Sequence, residues 1–92
     1  MKVLQLIATG DYMEFLLSDE RAVRVPGKLV EGGFVGKMNA NWLLVSGLTY
    51  YYKPIGIQDI QGRVREEEKP QIIGAVSAYL RENSSGVSVT FE

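Results

Sequence analysis

The clearest pattern in the sequence is an amphipathic helix that starts near residue 70. Its apolar residues recur at three- and four-residue steps and so share one helical face; they are Ile72, Ile73, Val76, Tyr79 and Leu80. The predicted outer face carries Lys69, Ser77, Arg81 and Glu82. Pro70 lacks a backbone N–H and disfavours α geometry in the residue before it, so the helix should begin close to Pro70. Residues 83–86 (NSSG) end the helix, because asparagine and glycine readily adopt the left-handed conformation of a helix cap.

A strand with one buried face follows this helix at residues 87–91. Val87, Val89 and Phe91 alternate with polar residues, which is the two-residue period of a half-buried strand. A helix with a single apolar stripe needs a sheet to cover it. The sequence therefore predicts an α+β fold, with a largely antiparallel sheet packed against one C-terminal helix and a final strand.

The length and composition predict a single domain over residues 1–92. The chain has 92 residues, of which 46% are hydrophobic, and a formal net charge of −1, which is typical of a globular protein. A nucleic-acid binder normally carries a clustered basic surface, so we expect no nucleic-acid partner. The N-terminal apolar stretch, residues 1–8, is too short for a signal peptide or a membrane span. We therefore expect a cytoplasmic protein without a membrane partner.

The chain contains neither cysteine nor histidine. Disulfides, thiolate metal sites and cysteine nucleophiles are therefore excluded. The absence of histidine also removes the commonest general base and the commonest transition-metal ligand. We expect no catalytic residues, no metal and no cofactor, and enzymatic activity is not predicted.

The first half of the chain predicts a meander of short antiparallel strands. Residues 3–9, 12–17 and 22–25 are apolar or β-branched and are separated by turn residues too few for a crossover. Pro26-Gly27 is predicted to end the third strand, and residues 34–38 should be extended again.

The middle of the chain predicts a hairpin with strands at residues 42–45 and 48–53 around a Ser46-Gly47 turn. Residues 57–65 then form a connection. For the topology, we expect the final strand to lie beside the N-terminal strand.

Two groups of side chains are candidates for binding a partner. Glu66, Glu67 and Glu68 form a dense carboxylate cluster, and Trp42, Tyr50, Tyr51 and Tyr52 form an aromatic group of the kind enriched at protein interfaces. Each group also has an ordinary structural interpretation. Carboxylates before a helix favour its dipole, and aromatic residues pack within a sheet.

The glycines at positions 27, 32, 33 and 36 do not fit a phosphate-binding fingerprint. No Lys-Ser/Thr pair follows them and no helix opens after them. They are predicted to serve turns and bulges.

Residues 24–29 (RVPGKL) and 32–35 (GGFV) resemble the opening of small bacterial immunity proteins of polymorphic-toxin systems, specifically the Imm74-like family. Trp42, Pro54 and an acidic stretch before Ile72-Ile73 follow in an order similar to that family. The apolar, tyrosine-rich segment between Trp42 and Pro54 departs from the pattern by its length. The resemblance implies stoichiometric inhibition of a cognate toxin domain, with a nuclease as the expected kind of toxin, in contact-dependent inhibition between bacteria.

A second interpretation stays open. A small α+β module with an open sheet edge or face can act as a structural subunit or adaptor that oligomerises, for instance as a homodimer. The gene environment discriminates the two, because an immunity protein is encoded beside its toxin.

Overall fold

The computed structural model describes residues 1–45, 60–83 and 88–92. Within these ranges the chain forms seven strands, a short 3₁₀ turn and one α-helix. The strands are β1 (Val3–Ala8), β2 (Tyr12–Leu17), β3 (Ala22–Val30), β4 (Gly33–Gly36), β5 (Leu43–Val45), β6 (Ile60–Arg63) and β7 (Ser88–Phe91). The 3₁₀ turn covers Glu66–Glu68, and α1 covers Lys69–Asn83. The predicted α+β class is confirmed.

The larger part of the sheet is antiparallel, in the order β1-β2-β3-β5-β6. The predicted meander of the first three strands is present, and its register places Phe15 opposite Val23. Residues 60–63, predicted to be part of a connection, form β6 instead. Of the predicted 42–53 hairpin, β5 forms the first strand, while the turn and second strand lie outside the described residues.

β3 continues past the Pro26-Gly27 pair that was predicted to end it, and this prediction was wrong. The pair stands where β3 changes partner, with Pro26 opposite Tyr12 of β2 and Gly27 opposite Gly36 of β4. The Pro26 carbonyl accepts a hydrogen bond from the Lys37 N–H. The missing proline donor therefore interrupts neither pairing, and one nine-residue strand serves two parts of the sheet.

β7 lies parallel to β4, with Gly33 opposite Ser88 and Gly36 opposite Phe91. The prediction that the final strand lies beside β1 was therefore wrong. Parallel pairing needs a long crossover connection, and the chain from β4 to β7 contains β5, β6 and α1, which is more than long enough. The alternation that located β7 does not specify which strand it pairs with.

α1 packs its predicted apolar face on the sheet. Ile72 and Val76 are fully buried, while Ile73, Tyr79 and Leu80 are half-buried against the same core. The core beneath the helix combines Met13, Phe15 and Leu17 of β2 with Val23 and Val25 of β3 and with Phe34 of β4. These residues alternate along their strands, as expected for one covered face.

The other face of the antiparallel sheet is also buried in part. Leu16, Ala22 and Val45 form a second apolar cluster there. Beside it, buried Glu14 and Arg24 face each other on β2 and β3, and Glu14 Oε1 accepts hydrogen bonds from Nε and Nη2 of Arg24 at 3.0 and 2.5 Å. A buried ion pair of this kind depends on both partners, because removing one leaves an uncompensated charge.

Candidate partner-binding surface

The three consecutive glutamates form the 3₁₀ turn that leads into α1, and they are largely paired within the protein. Glu68 accepts hydrogen bonds from Arg21 at 2.8 Å and from Arg65 at 2.9 Å. These guanidinium groups hold the pKa of Glu68 below its ordinary value, and the Glu68 carboxylate raises the pKa of Arg21. The network joins the turn between β2 and β3 to the start of the helix. Glu68 is therefore a structural residue that links two parts of the fold.

Glu66 and Glu67 remain accessible at this turn. Glu67 exposes 71% of its side chain and lies 3.8 Å from the equally exposed Arg65. Glu66 Oε1 accepts a hydrogen bond from Lys69 Nζ at 2.9 Å, although most of the Glu66 side chain is exposed to water. Arg21 and Arg65 lie among the carboxylates of the predicted cluster, so this surface carries both signs of charge.

Trp42, predicted to contact a partner, is instead a core residue with no exposed surface. Its indole N–H donates to the Lys37 carbonyl at 3.0 Å, and its ring lies 5.5 Å from that of Phe91. A side chain enclosed in this way cannot reach another protein without unfolding. Its placement in the partner-binding set is therefore corrected. The predicted tyrosines Tyr50, Tyr51 and Tyr52 lie outside the described residues.

Lys69 was predicted on the solvent face of the helix, and this was also wrong because its side chain is fully buried. Its ammonium group donates to the carbonyls of Met38 and Ala40 at 2.7 and 3.0 Å and to Glu66 at 2.9 Å. It also lies 5.2 Å from the centre of the Trp42 ring, where a cation is attracted to the aromatic face. Lys69 thus fastens the loop between β4 and β5 to the helix.

The feature that sequence reasoning missed is the tip of the β3–β4 hairpin, residues 28–33, which we call the hairpin tip. It carries two apolar side chains in water, Leu29 with 46% and Val30 with 50% of their surface exposed. Gly32 closes the turn with φ at +83°, a conformation that favours glycine. The sequence signal for this exposed apolar surface was a pair of consecutive apolar residues directly before a turn.

Close backbone packing explains the glycines around the hairpin tip. A Cβ atom on Gly27 would lie 2.3 Å from the Val35 carbonyl oxygen, and one on Gly33 would lie 2.2 Å from the Ser88 carbonyl oxygen. Both distances are too short for any side chain. Gly27 and Gly33 therefore allow the close approach of β3 to β4 and of β4 to β7, in the hairpin that exposes Leu29 and Val30.

Two shallow hollows lie on the described surface. One, of about 210 Å³, is beside the hairpin tip and is lined by Val30, Gly33, Val35, Ser88 and Thr90 among others. The second, of about 190 Å³, lies between the start of β1 and α1, against Ala75 and Tyr79. Within residues 1–45, 60–83 and 88–92, no three acidic side chains are grouped to hold a metal ion. No helix in these ranges has the length and apolarity that a membrane span requires.

The hairpin tip and the glutamate turn are separated by the length of β3. Arg21, which binds Glu68, directly precedes the first residue of β3, whereas Val30 is its last. The whole Cα trace measures only 28 × 27 × 25 Å. The hairpin tip and the glutamate turn are therefore two candidate contacts at opposite ends of one strand on a small surface.

Comparison with known proteins adds no relative to this description. No family model, no curated protein and no solved structure matches the chain.

Proposed function

We propose that this protein is an immunity protein that binds a cognate bacterial toxin domain and blocks it stoichiometrically. The observation that supports this most is the exposed apolar pair Leu29 and Val30 on the hairpin formed by the segment with the family resemblance. Apolar surface that is exposed at the end of a hairpin is available to a protein partner. Cytoplasmic residence is part of the proposal, since the toxin is expected to act there.

The energetics of neutralisation favour a small, stiff contact element. An inhibitor needs nanomolar affinity or better, about −12 kcal/mol. Most of such binding energy comes from a few well-packed anchors within a standard-sized interface. A hairpin held by backbone packing loses little conformational entropy on binding, which leaves more of the contact energy as affinity. Leu29 and Val30 are the proposed anchors among the described residues, and Tyr50, Tyr51 and Tyr52 are retained as predicted ones.

The accessible glutamates have a different proposed role. If the toxin is a nuclease, its substrate cleft is basic, and Glu66 and Glu67 add negative potential that speeds encounter. Because they lie away from the hairpin tip, their effect is on the association rate and weakens with salt. Reversing both to lysine is expected to slow association at low salt with little change in dissociation, whereas Glu82→Lys on the exposed end of α1 is the matched control.

The direct test is co-expression with the toxin domain encoded beside the gene. Wild-type protein should protect the cells and co-purify with the toxin at one to one. The double variant Leu29→Ala/Val30→Ala should lose protection while its thermal midpoint stays close to that of the wild type. Leu4→Ala is the matched control, because Leu4 is 57% exposed on β1 at the other end of the sheet. Failure of the wild-type protein to bind the neighbouring gene product would refute the immunity proposal.

The adaptor interpretation remains the second candidate. β1 pairs only with β2 among the described residues, and Leu4 on β1 is the most exposed large apolar side chain in these ranges. A strand in this position can pair with a second copy of the chain. Analytical ultracentrifugation distinguishes the candidates, since a stable homodimer dissociated by Leu4→Lys favours the adaptor, and a monomer at high concentration excludes it.

A further inference from the structure

We infer that β7 is a latch that keeps the ammonium group of Lys69 enclosed, and that β7 opens as a local unit while the antiparallel sheet stays folded. The buried Lys69 side chain is held by residues 37–42, between β4 and β5, which we call the lysine loop. β7 fixes this loop at two points. Release of β7 therefore frees the loop and gives water access to Lys69. The device lies within the chain and does not depend on which partner the protein binds.

The first fixed point is the main chain of Met38. The Met38 N–H donates to the main-chain oxygen of Glu92, directly after β7, at 2.6 Å. The Met38 carbonyl accepts a hydrogen bond from Lys69 Nζ at 2.7 Å. The Glu92 N–H donates in turn to the Gly36 carbonyl of β4 at 2.9 Å. One residue of the lysine loop is thus bonded to the end of β7 on one side and to α1 on the other, so loss of the Glu92 contact frees the carbonyl that faces Lys69.

The second fixed point is the ring of Trp42. Phe91 of β7 lies 5.5 Å from this ring, and Lys69 Nζ lies 5.2 Å from its centre. The Trp42 indole N–H donates to the Lys37 carbonyl at 3.0 Å. That carbonyl belongs to the same peptide group whose N–H is bonded to Glu92. Because Trp42 has no exposed surface, departure of Phe91 opens one side of the indole and loosens the wall around Lys69.

β7 is held less firmly than the meander it joins. None of its four residues is buried, and within the described residues it pairs with β4 alone. β2 and β3, in contrast, supply five apolar core residues without exposed surface, namely Met13, Phe15, Leu17, Val23 and Val25. Elements with few buried contacts open at a lower free energy than the core of the same domain. Opening of β7 therefore precedes unfolding of the meander.

Gly36 provides the space in which the latch closes. A Cβ atom on Gly36 would lie 2.8 Å from Cδ1 of Phe91, which is closer than side chains normally approach. Gly36→Ala therefore displaces the Phe91 ring from the β4 side, without any change in the composition of β7 or of the lysine loop.

Trace acetylation of the wild-type protein with acetic anhydride, read at each lysine by peptide mass spectrometry, measures the opening. Lys2 and Lys28 are exposed and serve as internal references. We expect Lys69 to react at least about a hundredfold more slowly than these two lysines. Its rate should rise only weakly with urea below the global transition, because a local opening exposes little surface. A urea dependence equal to that of global unfolding would overturn the latch.

Substitutions on both sides of the contact provide the second measurement. Phe91→Ala and Gly36→Ala should each raise the Lys69 rate at least about tenfold, with the rate at Lys2 unchanged. An unchanged Lys69 rate in both variants would show that β7 does not enclose the ammonium group, and would overturn the inference.

Leu6→Ala is the matched control for a general loss of stability. Leu6 is partly buried against the same core, on β1 at the other end of the strand order from β7. Its loss should lower the thermal midpoint but leave the Lys69 rate within about twofold of wild type, because the local opening is untouched. Equal acceleration in Leu6→Ala and Phe91→Ala would mean that Lys69 reacts only through global unfolding, which also overturns the latch.

Discussion

Replacing Lys69 by methionine is the sharpest test of the fold, because sequence pattern and structure predict different results. On the helical pattern Lys69 faces solvent, and its loss should be neutral. In the structure its ammonium group donates to the carbonyls of Met38 and Ala40 and to the Glu66 carboxylate. Lys69→Met keeps most of the side-chain volume and removes the buried positive charge together with these three donor contacts.

The expected loss follows from what each acceptor is left with. Glu66 is mostly exposed and returns to water, so losing this ion pair costs less than about 1 kcal/mol. The two carbonyls are partly buried, and each unpaired acceptor costs about 1 kcal/mol, at the low end of the usual range. The total is about 2 kcal/mol. For a domain of this size, that lowers the thermal midpoint by about 8–16 °C.

Thermal unfolding followed by circular dichroism measures this loss. Lys2→Met is the matched control, since Lys2 is exposed and the substitution is chemically the same, and its midpoint should stay within about 2 °C of the wild type. A Lys69→Met midpoint equal to that of Lys2→Met would refute the buried arrangement around the ammonium group.

Further substitutions probe the helix, the hairpin and the glutamate turn. Val76→Asp should abolish cooperative thermal unfolding, since it places an unpaired charge in the core. Gly33→Ala should cost about 1–3 kcal/mol in chemical denaturation, because its Cβ would overlap the Ser88 carbonyl, whereas Gly74→Ala in the open middle of α1 should stabilise by up to about 1 kcal/mol. The pKa of Glu68 is lowered from 4.5 in the folded state, so its contribution to stability is present above pH 4.5 and is lost as the pH falls further. Glu68→Gln should therefore lower the free energy of unfolding at pH 7 and make it depend less on pH below 4.5. Urea unfolding at several pH values measures this, and the same loss of stability with acid in variant and wild type would contradict the ion pairing.

Local pattern was sufficient where one physical requirement decided the structure. The spacing of Ile72 and Val76 predicted the buried face of α1, and the proline at position 70 located its start within one residue. The strands over residues 12–17 and near 3–9 were also predictable, because apolar runs between turn residues have few alternatives.

Pattern failed where contacts distant in sequence decided the outcome. Nothing near Lys69 in the chain shows that carbonyls some 30 positions earlier surround its ammonium group. Pro26 normally interrupts a strand, and only the change of partner from β2 to β4 makes it harmless. Trp42 looked like an interface residue by type, but its burial depends on Phe91 and on the helix start.

The candidate site was predictable only in part. The glutamate turn was recognised as a cluster, yet its internal pairing with Arg21 depends on a turn 47 positions away. The hairpin tip was overlooked because the exposure of Leu29 and Val30 depends on where the core ends along β3. Sequence periodicity reports which side chains alternate but does not report how far the covering helix extends.

The parallel pairing of β4 with β7 also affects how the protein folds. Gly33 meets Ser88, which comes 55 positions later in the chain, so the outer edge of β4 has no strand partner until β7 has been synthesised. Contacts of such long range slow folding, because the connecting loop must close before they form. During that interval the β3–β4 hairpin presents an unpaired edge beside exposed apolar residues, a combination that promotes aggregation of nascent chains. The pairing of β7 with β4 therefore covers this edge and removes the aggregation risk once the last strand is in place.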